Sequence, residues 1–325
     1  MLIPITMTLL GLALLVAGGE ALVRGATSLA QLLRVSPAVI GLTIVAAGTS
    51  MPELVVSTKA ALAGEPDIAL ANVIGSNIFN IAAIVGVAAL VAPLRVLGNS
   101  VRLEWPVMFL AVCQLHLLAR DGSVDRLEGG FLLGAQVAFI AYLVWIARTA
   151  SAPAEEEQFA EALPAPLGGE LRGAKAWLFS GLGLVLGMAL LVLGGSVLVN
   201  GASALALGLG ASQRVVGLTI VAAGTSLPEL VTSVIASVRG RDDIALTNVL
   251  GSNIFNVFGI LGTTTLIAPV AVDPELVSVD SWWMIGFAAL LFPLMRSGYR
   301  VSRLEGGVLV ALFVAYLTLL VRSAG

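Results

Sequence analysis

Ten stretches of the chain are apolar over close to the length that crosses a bilayer: roughly 2–22, 38–62, 68–92, 104–119, 130–148, 177–199, 214–238, 244–268, 281–296 and 306–322. A helix needs about 20 apolar residues to traverse the hydrocarbon, so the pattern predicts ten transmembrane helices, the fourth and ninth being the shortest. The composition agrees, with 11% charged residues, 58% hydrophobic residues and a mean hydropathy of +1.01. Soluble domains carry roughly 25% charged residues, and the ten spans leave no room for an independent soluble domain. The first stretch lacks a basic flank before it, and its counterpart at 177–199 lies mid-chain. Both are therefore read as retained spans rather than a cleaved signal.

Polar residues interrupt this pattern twice, in the same way. Residues 41–86 and 217–262 match at 31 of 46 positions with a constant offset of 176 and no gap. The match extends outward, since AGGEALVRGATSLA at 17–30 aligns with LGGSVLVNGASALA at 193–206, and RLEGG recurs at 126–130 and 303–307. The chain thus divides into two homologous units of five spans, 1–148 and 177–325. Consecutive units with an odd number of spans must enter the membrane from opposite sides. The expected architecture is an all-α integral membrane protein of ten helices in two inverted-topology repeats, with any shared polar site near the midplane. The join at 149–176 holds Glu155, Glu156, Glu157 and Glu161 with Pro153, Pro164 and Pro166, the composition of an acidic, solvated cytoplasmic linker.

The repeated interruption is oxygen-rich. GTSMPEL places Thr49, Ser50 and Glu53 within one turn, and GTSLPEL repeats them as Thr225, Ser226 and Glu229. Pro52 and Pro228 lack an amide hydrogen and clash with the preceding turn, so each helix must bend there. Helical spacing sets Thr49, Ser50 and Glu53 on one face. The next span carries Asn72, Ser76 and Asn80 as a stripe, copied as Asn248, Ser252 and Asn256, while Asn77 and Asn253 lie off it as packing or backbone-bridging groups. Gly75 and Gly251 predict close helix approach. Two intramembrane carboxylates with no basic residue at helical spacing mark a functional site. Oxygen ligands suit hard cations, so sodium, calcium and protons all remain open, whereas soft metals would call for His or Cys. One Cys and one His, Cys113 and His116, preclude a disulfide framework or a Cys/His metal centre.

Lys and Arg are unevenly distributed between alternate connections. The set joining spans 1–2, 3–4, 5–6, 7–8 and 9–10 holds 12 of them, and the opposite set with both termini holds 5. The positive-inside rule places the first set in the cytoplasm and both termini outside.

GTSMPEL with NVIGSNIFN, and GTSLPEL with NVLGSNIFN, resemble the paired alpha-repeats of the cation/calcium exchanger superfamily, most closely its prokaryotic sodium/calcium exchanger homologues. The resemblance covers nearly the whole chain. It implies exchange of calcium for sodium across the prokaryotic plasma membrane by alternating access, with spans 2–3 and 7–8 enclosing the ions and spans 1 and 6 sliding as gates. It also implies Glu53 and Glu229 as central calcium ligands, joined by the main-chain carbonyls of Thr49 and Thr225. Ser50, Ser226, Ser76 and Ser252 would serve flanking sodium sites with the carbonyls of Ala46 and Ala222, and Asn80 and Asn256 would line the middle. Several members of the superfamily carry Asp where this chain has Asn256, so the site here has two carboxylates, and potassium cotransport is not expected. Calcium and sodium are the expected partners beside the lipid bilayer, with no cofactor, nucleic acid or obligatory protein partner.

Other readings compete on the same residues. Glu53 and Glu229 could titrate, which keeps a calcium/proton antiporter open, and a passive cation channel could use the same repeat. An intramembrane enzyme lacks HExxH and GxSxG elements. Several polar residues have blander readings: Asp67 and Asp243 as helix caps, Glu20 and Arg24 as an i,i+4 pair, Asn72 and Asn248 as interhelical hydrogen bonders, and His116 as a core histidine.

Overall fold

The computed structural model describes residues 2–33, 35–64, 66–149, 174–209 and 222–323. Eight helices among these are long and apolar enough to cross a membrane: α1 (Leu2–Leu33), α4 (Ile68–Val91), α5 (Ser100–Asp121), α6 (Arg126–Ile146), α7 (Ala174–Gly208), α9 (Asp242–Ile267), α10 (Leu276–Arg296) and α11 (Arg303–Leu320). Taken together, α2 (Ala38–Thr49) and α3 (Met51–Leu62), which meet at 44°, pass the same test of length and apolarity. The remaining apolar helix, α8 (Leu227–Val238), follows a short turn at Ala222–Gly224. The start of the expected seventh span, Arg214 and linker residues 150–173 fall outside the described residues.

The spans predicted at 2–22 and 177–199 are longer than expected, running to 32 and 35 residues as helices. Glu20 pairs with Arg24 at 2.6 Å and with Arg239, just past the end of α8, at 2.8 Å, so the helix carries its charges onward. The fourth and ninth spans also begin earlier than expected, at Ser100 and Leu276, each with a wide π-turn.

Burial sorts the helices into layers. α4 and α9 are 78% and 94% buried over their most apolar stretch, whereas α1 and α7 are only 22% and 28% buried. The inner pair therefore forms the core, and the other long helices, the outer pair α1 and α7 among them, are 17–39% buried. α1 and α7 meet along a seam of glycines spaced by seven, Gly11, Gly18 and Gly25 facing Gly187, Gly194 and Gly201. A Cβ at Gly18 would lie 2.8 Å from the Leu191 nitrogen, and one at Gly194 would lie 2.8 Å from the Leu15 nitrogen. Backbone approaches backbone here, the close packing that small residues allow between helices in lipid.

Two small antiparallel pairings tie the halves together. β1 (Leu94–Arg95), after α4, pairs with β4 (Arg300–Val301), before α11. β2 (Ser123–Val124), before α6, pairs with β3 (Val270–Ala271), after α9. The recurrent RLEGG segment has a structural role at the same places. At the start of α6 the Asp125 carboxylate accepts from the Glu128 N–H at 2.9 Å, while the Asp125 N–H donates to Glu128 at 2.8 Å. Ser302 and Glu305 repeat this reciprocal cap at α11, satisfying amides that a helix start leaves free. The glycines that follow seat α6 against α9 and α11 against α4: a Cβ on Gly262 would lie 3.1 Å from the Gly129 carbonyl, and one on Gly86 would lie 2.9 Å from that of Gly306.

Candidate functional site

The prolines break their helices rather than bend them. Ser50 leaves helical geometry at φ −84°, ψ 8°, and Ser226 does the same at φ −91°, ψ 8°. Pro52 and Pro228 then occupy the first turn of α3 and α8, where a missing amide hydrogen costs nothing. Thr49 therefore ends one helix, while Glu53 lies in the first turn of the next. The single helical face expected for Thr49, Ser50 and Glu53 does not exist. What replaces it suits a carboxylate better, because the free amides at a helix N-terminus favour negative charge.

Each break reaches across to the other half. The Ser50 hydroxyl donates to Glu229 Oε1 at 2.8 Å, and the Ser226 hydroxyl donates to Glu53 Oε1 at 2.8 Å. Both carboxylates are buried, with 2% and 1% exposure. Their second oxygens, Glu53 Oε2 and Glu229 Oε2, have no hydrogen-bond partner among the described residues, nor do Asn80 Oδ1, Asn256 Oδ1, Ser252 Oγ and Thr225 Oγ1. Leaving buried acceptors without a donor costs about 1–3 kcal/mol each, and more when the group is charged. Several such acceptors on the motif helices make an environment that a cation would relieve. No group of three or more His, Cys, Asp or Glu side chains converges among the described residues, and the cluster formed here has two carboxylates beside neutral oxygens.

The other expected site residues divide. Ser76 joins the cluster, with its Oγ 3.4 Å from that of Ser226. Thr49 Oγ1 lies 3.1 Å from the Val45 carbonyl, 3.3 Å from that of Ala46 and 3.4 Å from Asn248 Oδ1. The Ala46 carbonyl also accepts from the Ser50 N–H at 3.1 Å. It has a lone pair to spare only while the Thr49 hydroxyl stays on Val45. The Ala222 side chain lies outside the described residues. Asn80 and Asn256 each sit in a π-turn, Phe79–Ile84 and Asn256–Leu261, a local widening that is frequent at functional sites.

Asn72 and Asn248 hold helices together. Asn72 donates to the Glu53 carbonyl at 3.2 Å and to Ser57 at 2.9 Å, and Asn248 donates to Ser233 at 3.1 Å. Gly251 supports the expected close approach, since a Cβ there would lie 2.7 Å from the Leu42 carbonyl. Gly75 does not, as nothing described lies within 4 Å of it; Leu218, the repeat equivalent of Leu42, is outside the described residues. Asp243 does not cap its helix. It lies within the first turn, buried, with Oδ1 3.9 Å from Arg241 Nε. The Asp67 side chain lies outside the described residues. His116 is buried, with Nδ1 2.8 Å from Ser281 Oγ, and the Ser281 hydroxyl donates to the Val277 carbonyl at 2.6 Å. That serine has already committed its proton to a carbonyl, so the pair is structural.

The outer helices α1 and α7 touch the breaks themselves. Met188 of α7 seats its sulfur on Gly48, and Val199 of α7 lies against Gly224. Gly19 of α1 faces Val231 and Ile235 of α8. Sequence reading missed one further set: Asn77 Oδ1 accepts from Asn256 Nδ2 at 3.1 Å, and the Asn77 amide lies 3.6 Å from the Met284 sulfur. The available signal was a methionine duplicated at the same offset, Met108 and Met284.

Comparison with known proteins finds relatives along nearly the whole chain. A sequence model of the family described as sodium/calcium exchanger protein matches residues 3–146 and again 179–322. CaxA of Alkalimonas amylolytica is 41% identical over 328 residues, covering 99% of this chain and 100% of that protein. The sodium/calcium exchanger MaX1 of Methanosarcina acetivorans is 34% identical over 344 residues, covering 96% and 97%. Among solved structures, the sodium-calcium exchanger NCX_Mj, soaked without sodium or calcium, superposes with a TM-score of 0.81 at 31% identity, covering 98% of this chain and 99% of its own.

Proposed function

The chain belongs to the sodium/calcium exchanger protein family, and from that premise we propose that it is a secondary antiporter moving calcium against sodium across the prokaryotic plasma membrane. The observation that carries the proposal is the crossed pair, in which Ser50 holds Glu229 and Ser226 holds Glu53. This arrangement orients one oxygen of each carboxylate and leaves the other free for a cation. A carboxylate oxygen has two lone pairs, so the serine-bound oxygens can ligate beside the free ones, and two bidentate glutamates would then supply four of the six to eight oxygens calcium takes. The Thr49 and Thr225 carbonyls and the amide oxygens of Asn80 and Asn256 are the remaining candidates. Ser50, Ser76, Ser226, Ser252, Ala46 and Ala222 would serve sodium.

The fold reading goes with it: ten spans, arranged as inverted repeats of five at 1–148 and 177–325 around an acidic cytoplasmic linker, with both termini outside. The strand pairings support the inversion. β1 follows the third span, and its repeat equivalent is β3, yet β1 pairs with β4 and β2 with β3. Equivalent connections then fall at opposite ends of the bundle. The outer pair α1 and α7 would slide along its glycine seam to open the site to one side and then the other.

The two carboxylates also define the rival. Two glutamates balance one calcium or two protons, whereas three sodium ions would leave the loaded site at net charge +1. Calcium uptake into proteoliposomes, driven separately by a sodium gradient and by a proton gradient, distinguishes the two. Uptake with sodium alone is expected; uptake with protons alone would replace sodium by protons as the coupling ion.

A further inference from the structure

Two pairs of buried side chains outside the oxygen cluster repeat across the halves. Asn77 and Asn253 follow Ser76 and Ser252 in α4 and α9. Met108 and Met284, from α5 and α10, stand at the same offset of 176 in segments that otherwise diverge, WPVMFLAVC against SWWMIGFAA. All four are fully buried. They meet crosswise: the Asn77 amide nitrogen lies 3.6 Å from the Met284 sulfur, and that of Asn253 lies 3.7 Å from the Met108 sulfur.

A thioether sulfur only accepts. It therefore selects the nitrogen end of the facing amide and turns the oxygen end away. Asn77 Oδ1, so presented, accepts from Asn256 Nδ2 at 3.1 Å. That bond engages the Asn256 nitrogen and leaves Asn256 Oδ1 as a buried acceptor without a donor. The distinction matters because a carboxamide, unlike a carboxylate, has a wrong end. With its nitrogen toward a cation it would repel the ion instead of ligating it.

We propose that Met284 and Asn77 form a relay that orients the Asn256 amide, oxygen toward the transported cation and nitrogen away. Met108 and Asn253 form the corresponding relay for Asn80. In this conformation that second relay is open, because Asn253 Oδ1 has no donor among the described residues. Asn77 and Met284 are positioning residues that act through Asn256. The inference rests on the cation-exchange reading.

The test is the initial rate of sodium-driven calcium uptake against calcium concentration, in proteoliposomes of wild type, Asn77→Ala, Met284→Leu, Asn256→Asp and the Asn77→Ala/Asn256→Asp double variant. Asn77→Ala should raise the KM for calcium about tenfold, a typical cost for removing a group that orients a metal ligand, with the maximal rate within about twofold of wild type. Met284→Leu keeps the volume but loses the acceptor, and should raise KM about threefold. In the Asn256→Asp background both side-chain oxygens accept, so Asn77→Ala should add less than about a twofold change. An unchanged KM in Asn77→Ala overturns the relay. So does an equal cost in both backgrounds, or a fall in maximal rate that follows thermal unfolding with KM fixed. A wild type that shows no calcium uptake under either gradient overturns the exchange reading itself, and the relay with it.

Discussion

At Glu53 and Glu229 the two halves of the molecule are interchangeable. Each carboxylate opens a helix after a proline, accepts from the serine of the opposite break at 2.8 Å, and keeps one oxygen free. Away from that pair they part. The Asn256 amide is docked on Asn77, while Asn253 Oδ1, the corresponding acceptor for Asn80, has no donor among the described residues. Glu20 ties α1 to Arg239, whereas its counterpart Ser196 merely donates to the Val192 carbonyl of its own helix at 3.0 Å. On the proposed reading, symmetry is kept where one ion would be shared between halves, and relaxed where an alternating-access cycle would need the two sides to differ.

The sharpest way to break the comparison is at the carboxylates. Glu53→Gln and Glu229→Gln should each lower sodium-driven calcium uptake by about 100-fold or more, the upper range for loss of a group supporting a bound metal, and by similar factors. Initial rates in proteoliposomes give the ratio. A large loss in one variant with full activity in the other would show that the halves are unequal at the charge itself.

Next come the serines that hold them. A hydrogen bond to a charged group is worth about 1.5–3 kcal/mol, so Ser50→Ala and Ser226→Ala should each weaken apparent calcium affinity by at least about tenfold. The crossed geometry adds a specific expectation. Ser50→Ala should couple to Glu229 and Ser226→Ala to Glu53, so a double-mutant cycle with the opposite glutamate should be strongly non-additive. Coupling within one half, Ser50 with Glu53, would contradict the crossing.

The smallest effect lies on the outer helix. Glu20 is a quarter exposed and its arginines about half exposed, and pairs of that kind contribute about 0.2–1 kcal/mol. Glu20→Gln should change the uptake rate by less than about fivefold, and raising the ionic strength should shrink the difference. Introducing Glu at Ser196 gives the converse, and a change only from the Glu20 side would sharpen the asymmetry between α1 and α7.

Much of this was legible in the chain and some was not, for physical reasons. Hydropathy and the duplicated motif gave the spans and the polar residues of the site, because burial in lipid forces apolar length and makes each polar exception visible. The longer course of α1 was hidden, since apolar length marks only the stretch that crosses lipid, while the helix runs on past Arg24 to Leu33. The helix break at Ser50 looked like a bend, because a proline reads alike inside a helix and at its first turn. The pairing of each serine with the far glutamate is purely tertiary, and no spacing within one motif encodes it. RLEGG could be seen as a repeat, but its work as a cap and a glycine contact emerged only with α4 and α9 in place. Met108 and Met284 carried a periodic signal, yet methionine in an apolar helix is ordinary until an amide is found facing it.

Central to the proposed exchange is one cation held between two carboxylates from opposite halves. Equilibrium binding of radioactive calcium to the purified protein in detergent, with sodium as competitor, tests it most directly. The expected result is one sodium-displaceable calcium per chain in the wild type and none in either Glu53→Gln or Glu229→Gln at the same concentrations. One calcium retained at unchanged affinity in either variant would contradict it.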